Sequence, residues 1–264
     1  MLSDADLDAC ATLIDELALR AIDRIVAERP RPDQVATKTT AADWVTETDL
    51  AVERLAREAI AARFPEHRVV GEELGASGDE GAAAEWLIDP VDGTTNFVHG
   101  LPVSSFSLCV SDETGPAAGA VADPYRREVL SAVRGRGALL NGRSIRCSDA
   151  TTLMGGIVLT ELTAQTLWDG MAELMAALAD AGCVTRIMGS NAFSVASVGA
   201  GRCLATVIGR FNPGDCLAGT LIAREAGAVA TGPSGAPREG ELLLCSAPGV
   251  VDALLPLVTG AAVP

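Results

Sequence analysis

The stretch Asp89-Pro90-Val91-Asp92-Gly93-Thr94-Thr95-Asn96-Phe97 decides how this chain is read. It follows an apolar run, Trp86-Leu87-Ile88, that reads as the end of a strand. Two carboxylates three residues apart at a strand end can converge on one hard cation, with the Val91 carbonyl as a further oxygen donor. Gly93-Thr94-Thr95 then supplies flexible backbone and free N–H groups where a helix opens. Orphan N–H groups and the helix dipole make such an opening a natural anion site. A divalent metal beside a phosphate cradle points to phosphoryl chemistry.

Taken alone, an Asp-Pro or Asp-Gly pair is most often a turn. Other acids at segment ends add weight. Glu72, at the end of a short strand over residues 68–71, is the best third acid, and Asp215 the best fourth. Clustered carboxylates resist ionising together, and a bound cation relieves this. Glu73 reads as a neighbour of the metal position or as a surface acid. Asp49 suits the start of a helix, where it can be a cap.

The residues 89–97 resemble the signature of the inositol monophosphatase family of magnesium-dependent, lithium-sensitive phosphatases. Further segments agree in order: residues 43–49 (DWVTETD) with the V-T-x-x-D loop, Gly71-Glu72-Glu73 with G-E-E, residues 137–142 (GALLNG) with a hairpin, and Thr160-Glu161-Leu162 with a later strand end. Asp215-Cys216-Leu217-Ala218-Gly219 resembles the second signature, usually W-D-x-A-A-G. The matches span roughly residues 35 to 230.

The resemblance implies a magnesium-dependent phosphoric monoester hydrolase acting on a small phosphate ester, inositol-1-phosphate first. Fructose-1,6-bisphosphate, 3′-phosphoadenosine 5′-phosphate and histidinol phosphate are related possibilities. It assigns Glu72, Asp89 and Val91 to one metal and Asp89, Asp92 and Asp215 to a second, with two or three magnesium ions in the site. Water activated by metal would attack phosphorus, deprotonated through Thr94 and Asp49. Phosphate would rest on Gly93 and Thr94. Gly189-Ser190-Asn191 matches a substrate-side segment, and Lys38 falls where the family loop carries a lysine near a third ion. A homodimer is expected.

Two departures stand out. Gly214 replaces the usual Trp, and Ile208 falls where inositol-preferring members carry a Glu that holds ring hydroxyls. Isoleucine accepts no hydrogen bond, so inositol is weakened more than phosphatase. Gly214 is expected to loosen the helix start that aims Asp215. Arg210 could reach a second anionic group on a substrate or be a solvated loop arginine. The degraded second signature also motivates a rival, a catalytically weak ligand-binding or regulatory member of the fold.

With 264 residues, 48% hydrophobic content and 3% aromatics, the core must be mostly Ala, Val, Leu and Ile. The net charge of −15 argues against nucleic acid or an anionic membrane as partner. Seven scattered cysteines without a CxxC pair read as buried reduced thiols. No signal-peptide pattern opens the chain, and no apolar run approaches the ~18 residues a bilayer needs, so a cytoplasmic protein is expected. His67 reads as a surface turn residue and His99 as structural.

Apolar spacing predicts helices over residues 3–29 and 48–64, with a polar excursion at 30–40 between them. Strands at 104–111, 119–123 and 129–133 suggest an antiparallel sheet on those helices, with a hairpin turn at 135–141. Strands at 156–160, 183–187, 204–209, 228–230 and 242–245 alternate with helices at 165–181, 191–200 and 216–226, before a final helix at 248–258. That alternation favours a mixed or parallel sheet. The expected architecture is α+β to α/β: an N-terminal subdomain of residues 1–149 with most metal ligands, a C-terminal one of 150–264 with Asp215, and a cleft between. The family's layered α-β-α-β-α sandwich is consistent with this.

Overall fold

The computed structural model describes residues 1–28, 35–37, 44–163 and 166–261. Helix α1 (Asp4–Ala27) starts at Ser3, which forms a reciprocal capping box with Asp6, worth about 1 kcal/mol. Its stripe from Leu7 through Leu13, Leu17 and Ile22 to Ile25 is buried, as helical spacing requires. Truncating Leu17 to Ala would cost about 2–5 kcal/mol, because its side chain is fully enclosed. α2 (Glu47–Arg63) repeats the capping box with Thr46 and Asp49. Between the helices, β1 (Ala36–Thr37) pairs with β2 (Trp44–Val45). The rest of the polar excursion, Lys38 included, lies outside the described residues.

The larger sheet holds β3 (Arg68–Gly71), β4 (Gly75–Ser77), β5 (Ala84–Asp92), β6 (Ser105–Asp112), β7 (Gly115–Asp123), β8 (Glu128–Val133), β9 (Ala138–Leu140) and β10 (Arg143–Ile145). Its order is β10-β9-β8-β7-β6-β5-β3-β4, antiparallel except for the β3–β5 pair. A short helix, α3 (Thr94–His99), follows β5 directly. The smaller sheet holds β11 (Ile157–Glu161), β12 (Val184–Ile187), β13 (Ala205–Ile208), β14 (Val229–Thr231) and β15 (Leu243–Ser246). Its order is β12-β11-β13-β15-β14, with β11 parallel to β12 and β13, and β15 antiparallel to its neighbours.

Helices α1 and α2 cover one face of the larger sheet. α5 (Asn191–Gly199) and α6 (Pro213–Glu225) fill the space between the sheets. α4 (Met171–Asp180) and α7 (Val251–Ala261) cover the far face of the smaller sheet. The result is the α-β-α-β-α sandwich that the resemblance implies. The middle layer is built of small residues, Ala192, Ala196 and Ala218 among them, against Cys109 and Val121 of the larger sheet. The seven cysteines are free, and all but the half-buried Cys147 are buried.

Local chemistry moves several boundaries. α4 starts at Met171, later than the periodicity predicts, because Gly170 takes a left-handed φ of 89° behind a turn in which Met171 N–H donates to the Trp168 carbonyl. α6 starts earlier than predicted, at Pro213, because Asn212 caps it through the Gly214 N–H. The expected hairpin turn at 135–141 is instead two successive hairpins flanking β9. The final helix opens with a 3-10 turn, Pro248–Val250. His67 is not a surface residue. It is buried, stacks on Phe64, and accepts from Trp86 Nε1 at 3.0 Å.

One irregularity positions the site. Asp89 pairs with Ser107 and Asp92 with Ser105, so three steps on β5 match two on β6. Residues three apart on a regular strand point to opposite faces. The bulge brings both acids to the same face, and Pro90, lacking an N–H, is at home there.

Candidate active site

The bulge turns Asp92 against the start of α5. Its Oδ2 accepts from Ala192 N–H at 2.7 Å, Ser105 Oγ at 3.3 Å and the Ser190 hydroxyl, and its Oδ1 from Asn191 N–H at 3.1 Å. Burial pushes this carboxyl up to about 6, and the donors from Ser190, Ala192 and Asn191 oppose the shift. Asp89 is equally buried but less well served. Its Oδ1 accepts Val91 N–H at 3.1 Å, and it shares a hydrogen bond with Glu72. Burial first, then the charges of Glu72, Asp92 and Asp215, hold it well above the usual carboxylate range. Asp215 enters from the first turn of α6, held by Asn212 Nδ2 at 2.7 Å and Asn191 Nδ2 at 3.1 Å. Burial, with the charges of Asp92 and Glu72, raises it to about 7.

Glu72 stands in the turn after β3, and Glu53 of α2 fixes that turn from beneath. The buried Glu53 carboxylate accepts Glu73 N–H at 2.7 Å and Leu74 N–H at 3.1 Å, balanced by Arg57 Nε at 2.8 Å. A Cβ on Gly71 would lie 2.0 Å from Glu53 Oε1, so any side chain here would displace the carboxylate that holds the turn.

Asp49 divides its oxygens between two tasks. Oδ2 accepts from Thr46 N–H at 2.9 Å and from the Thr46 hydroxyl, closing the helix cap. Oδ1 lies 3.3 Å from Thr94 Oγ1, which also lies 2.9 Å from the Val91 carbonyl oxygen. Burial lifts Asp49 to about 6. Gly93, with φ of 88°, turns the chain from β5 into α3. A Cβ there would meet the Gly189 carbonyl oxygen at 2.7 Å, so the two loops touch backbone to backbone.

Some of these side chains, though not Asp49, Glu53 or Asp89, border two adjoining cavities that share Leu162 and Asn191. One, of about 330 Å³, is lined by Glu72, Asp92, Gly93, Thr94 and Ser190. The other, of about 370 Å³, is lined by Ile208, Arg210, Asn212, Asp215 and Glu239. Among the described residues, no three His, Cys, Asp or Glu side chains form a ready-made cation cage. The N–H and O–H donors around Asp92 and Asp215 engage the oxygens a cation would take. The set Glu72, Asp89, Val91 C=O, Asp92 and Asp215 is all oxygen, the donor chemistry that magnesium prefers.

Residues 6–258 match the model of the inositol monophosphatase family. The chain belongs to that family. It is 34% identical over 248 residues to inositol monophosphatase 2 of Homo sapiens, covering 90% of this chain and 84% of that protein. It is 37% identical over 206 residues to a fructose-1,6-bisphosphatase/inositol-1-monophosphatase of Thermotoga maritima, covering 78% and 77%. A solved IMPase of Thermotoga maritima superimposes with a TM-score of 0.85 at 32% identity, over 98% of each chain. The protein is therefore a phosphatase of the inositol monophosphatase family. Among its described residues no helix is long and apolar enough to cross a membrane.

In this phosphatase Ser190 and Asn191 line the first cavity, yet their polar atoms turn to Asp92 and Asp215. Arg210 sits at the second cavity, beside Ile208. Glu73 contributes its backbone N–H to Glu53. Sequence reasoning missed four residues of the support: Glu53, Ser105, Asn212 and Glu161. Buried Glu161 ends β11 and accepts Gly189 N–H at 2.7 Å, Met188 N–H at 3.1 Å and Ser194 Oγ at 2.6 Å, with burial raising it to about 7. Asn212 was legible, since Asn before Pro is a helix-start signal. Glu53 and Ser105 act on partners distant in sequence and carry no local signal, and Thr160-Glu161-Leu162 was matched as a strand end without a role for its acid.

Proposed function

We propose that this phosphatase hydrolyses a small phosphate monoester with magnesium as cofactor, two or three ions per site. The observation that carries the reading is the Thr94–Asp49 contact beside the four mutually repelling acids Glu72, Asp89, Asp92 and Asp215. Glu72, Asp89, Asp92, Asp215 and the Val91 carbonyl would hold the ions. When bound, magnesium neutralises charge on the transferring phosphoryl group and lowers the pKa of the attacking water. Thr94 Oγ1 takes the proton of that water and passes its own to Asp49 Oδ1, 3.3 Å away. Burial of Asp49 suits it to this task, because a base held near 6 stays ionised at neutral pH and still binds the proton well. Gly93 and Thr94 form the floor under the phosphate, and Lys38 and Glu73 are assigned no step.

The leaving group occupies the second cavity. Ile208 there is 2% exposed, and its side chain offers no acceptor to a ring hydroxyl. This favours an ester less dependent on polyol recognition than inositol-1-phosphate, with sugar bisphosphates next. The cleft lies between residues 1–149 and 150–264, taken as the two subdomains. Val184 and Ile187, 40% and 45% exposed on the edge strand β12, support a homodimer. Sedimentation would detect it.

Phosphate release from a panel of inositol-1-phosphate, fructose-1,6-bisphosphate, 3′-phosphoadenosine 5′-phosphate and histidinol phosphate tests the reading. Release that requires magnesium is expected. A panel that stays silent with magnesium present, alongside measurable ligand binding, would favour a regulatory member of the fold instead.

A further inference from the structure

Strand β6 offers two serines to the acid-bearing end of β5. Ser105 pairs with Asp92 in the sheet register, and its hydroxyl lies 3.3 Å from Asp92 Oδ2. Ser107 pairs with Asp89 in the same register. Residues directly opposed on antiparallel strands place their Cβ atoms ~4.5–5.5 Å apart on one face. Ser107 is 1% exposed, yet its Oγ has no hydrogen-bond partner among the described residues. A buried hydroxyl left unpaired costs stability, so its persistence beside an acid needs a reason.

The two acids differ in the same sense. Asp92 accepts from Ser105, Ser190, Asn191 and Ala192, whereas Asp89 accepts from Val91 N–H and shares a hydrogen bond with Glu72. A carboxylate that holds a divalent cation is an acceptor on both oxygens. An oxygen turned away from the cation has to find a donor on the buried side, where Ser107 lies.

We propose that Ser107 is a positioning residue for Asp89, its hydroxyl donating to the Asp89 carboxylate that holds a divalent cation. The inference rests on Asp89 being a cation ligand, as proposed above. Partners that orient ligating groups typically set metal affinity by about 10–100-fold. The Ser107 hydroxyl would then fix the orientation of the ligand.

Thermal unfolding of wild type, Ser107→Ala and Ser246→Ala, each titrated with magnesium chloride after chelation, separates the possibilities. Ser246 is a matched control, a fully buried hydroxyl without a partner on β15 of the other sheet. The metal-free Tm of Ser107→Ala is expected to equal or exceed that of wild type, because an unpaired hydroxyl is removed. Its magnesium-induced rise in Tm should need about tenfold more magnesium, and so should half-maximal phosphate release, with KM unchanged at saturating metal. Ser246→Ala should titrate like wild type. If wild type itself ignores magnesium, the ligand role of Asp89 falls and this inference falls with it. If wild type responds and Ser107→Ala responds at the same concentration, or Ser246→Ala is equally impaired, only the role of Ser107 is overturned.

Discussion

The two walls of the cleft are built to different standards. Along residues 89–96 three side chains are tied across the fold: Asp92 accepts from four residues, Thr94 touches both Asp49 and the Val91 carbonyl, and Asn96 Nδ2 donates to the Met188 carbonyl at 2.7 Å. Along residues 208–215 the backbone is paired, with Phe211 N–H donating to the Glu241 carbonyl at 2.7 Å, and Asn212 ties the helix start, while Ile208 presents carbon and Arg210 makes no ion pair among the described residues. On the proposed reading the first wall meets the group common to every phosphate ester and the second meets what differs between them. Reaction chemistry and substrate choice would then be separable, and the following experiments press on the walls singly and then together.

The largest effect is expected from Asp89→Asn. Phosphate release should fall by about 100-fold or more, while the metal-free Tm should hold or rise because a repelled charge is gone. Wild-type turnover in this variant would remove the first wall from the chemistry. Next comes Gly93→Ala. With φ of 88° and a carbonyl oxygen 2.7 Å from the added carbon, it should lose about 1–3 kcal/mol in urea unfolding and lower kcat as the loops part. An unchanged urea midpoint would mean that the loop contact is soft.

On the second wall, Arg210→Ala should raise KM about tenfold for substrates bearing a second anionic group and leave esters of neutral alcohols unchanged. An equal change for both kinds would assign Arg210 to solvent. The smallest effect is a pH dependence that both walls share. Without metal, burial holds Asp49 and Asp92 near about 6 and Asp215 and Glu161 near about 7, above their ordinary values of 3.8 and 4.5. The folded chain then binds these protons more tightly than the unfolded chain. Stability from this source is full at acidic pH and declines as pH rises from about 4 through about 7. Calorimetry in chelator should give a lower Tm at pH 8 than at pH 5.5, and saturating magnesium should flatten the slope. A metal-free Tm that climbs over this range would contradict the raised values.

Much of this was legible because the signals are local. The Asp89–Phe97 signature, the amphipathic stripe of α1 and the strand–helix alternation after Asp149 each lie within a short window. Several features were illegible because their causes are long-range or conformational. The β-bulge depends on how β5 meets β6, and the sequence alone shows only that two acids are three apart. Glu53 and Glu161 sit inside ordinary amphipathic and strand patterns, and their partners lie 20 to 33 residues away. His67 beside Pro65 and Glu66 has the composition of an exposed turn, yet Phe64 and Trp86 enclose it. The expected loosening by Gly214 overlooked Asn212, which caps that helix and steadies Asp215 at once.

Helix α2 carries Asp49 in its first turn and Glu53 in its second, and Glu53 grips the loop that bears Glu72. The proposed base and one proposed ligand are thus tied to a common rod. Any hinge motion of the larger sheet away from α6 would lengthen the gap to Asp215 and leave the spacing from Asp49 to Glu72 intact. On the proposed reading one half of the apparatus is preassembled, and any closure of the cleft would have only the other half to bring into line.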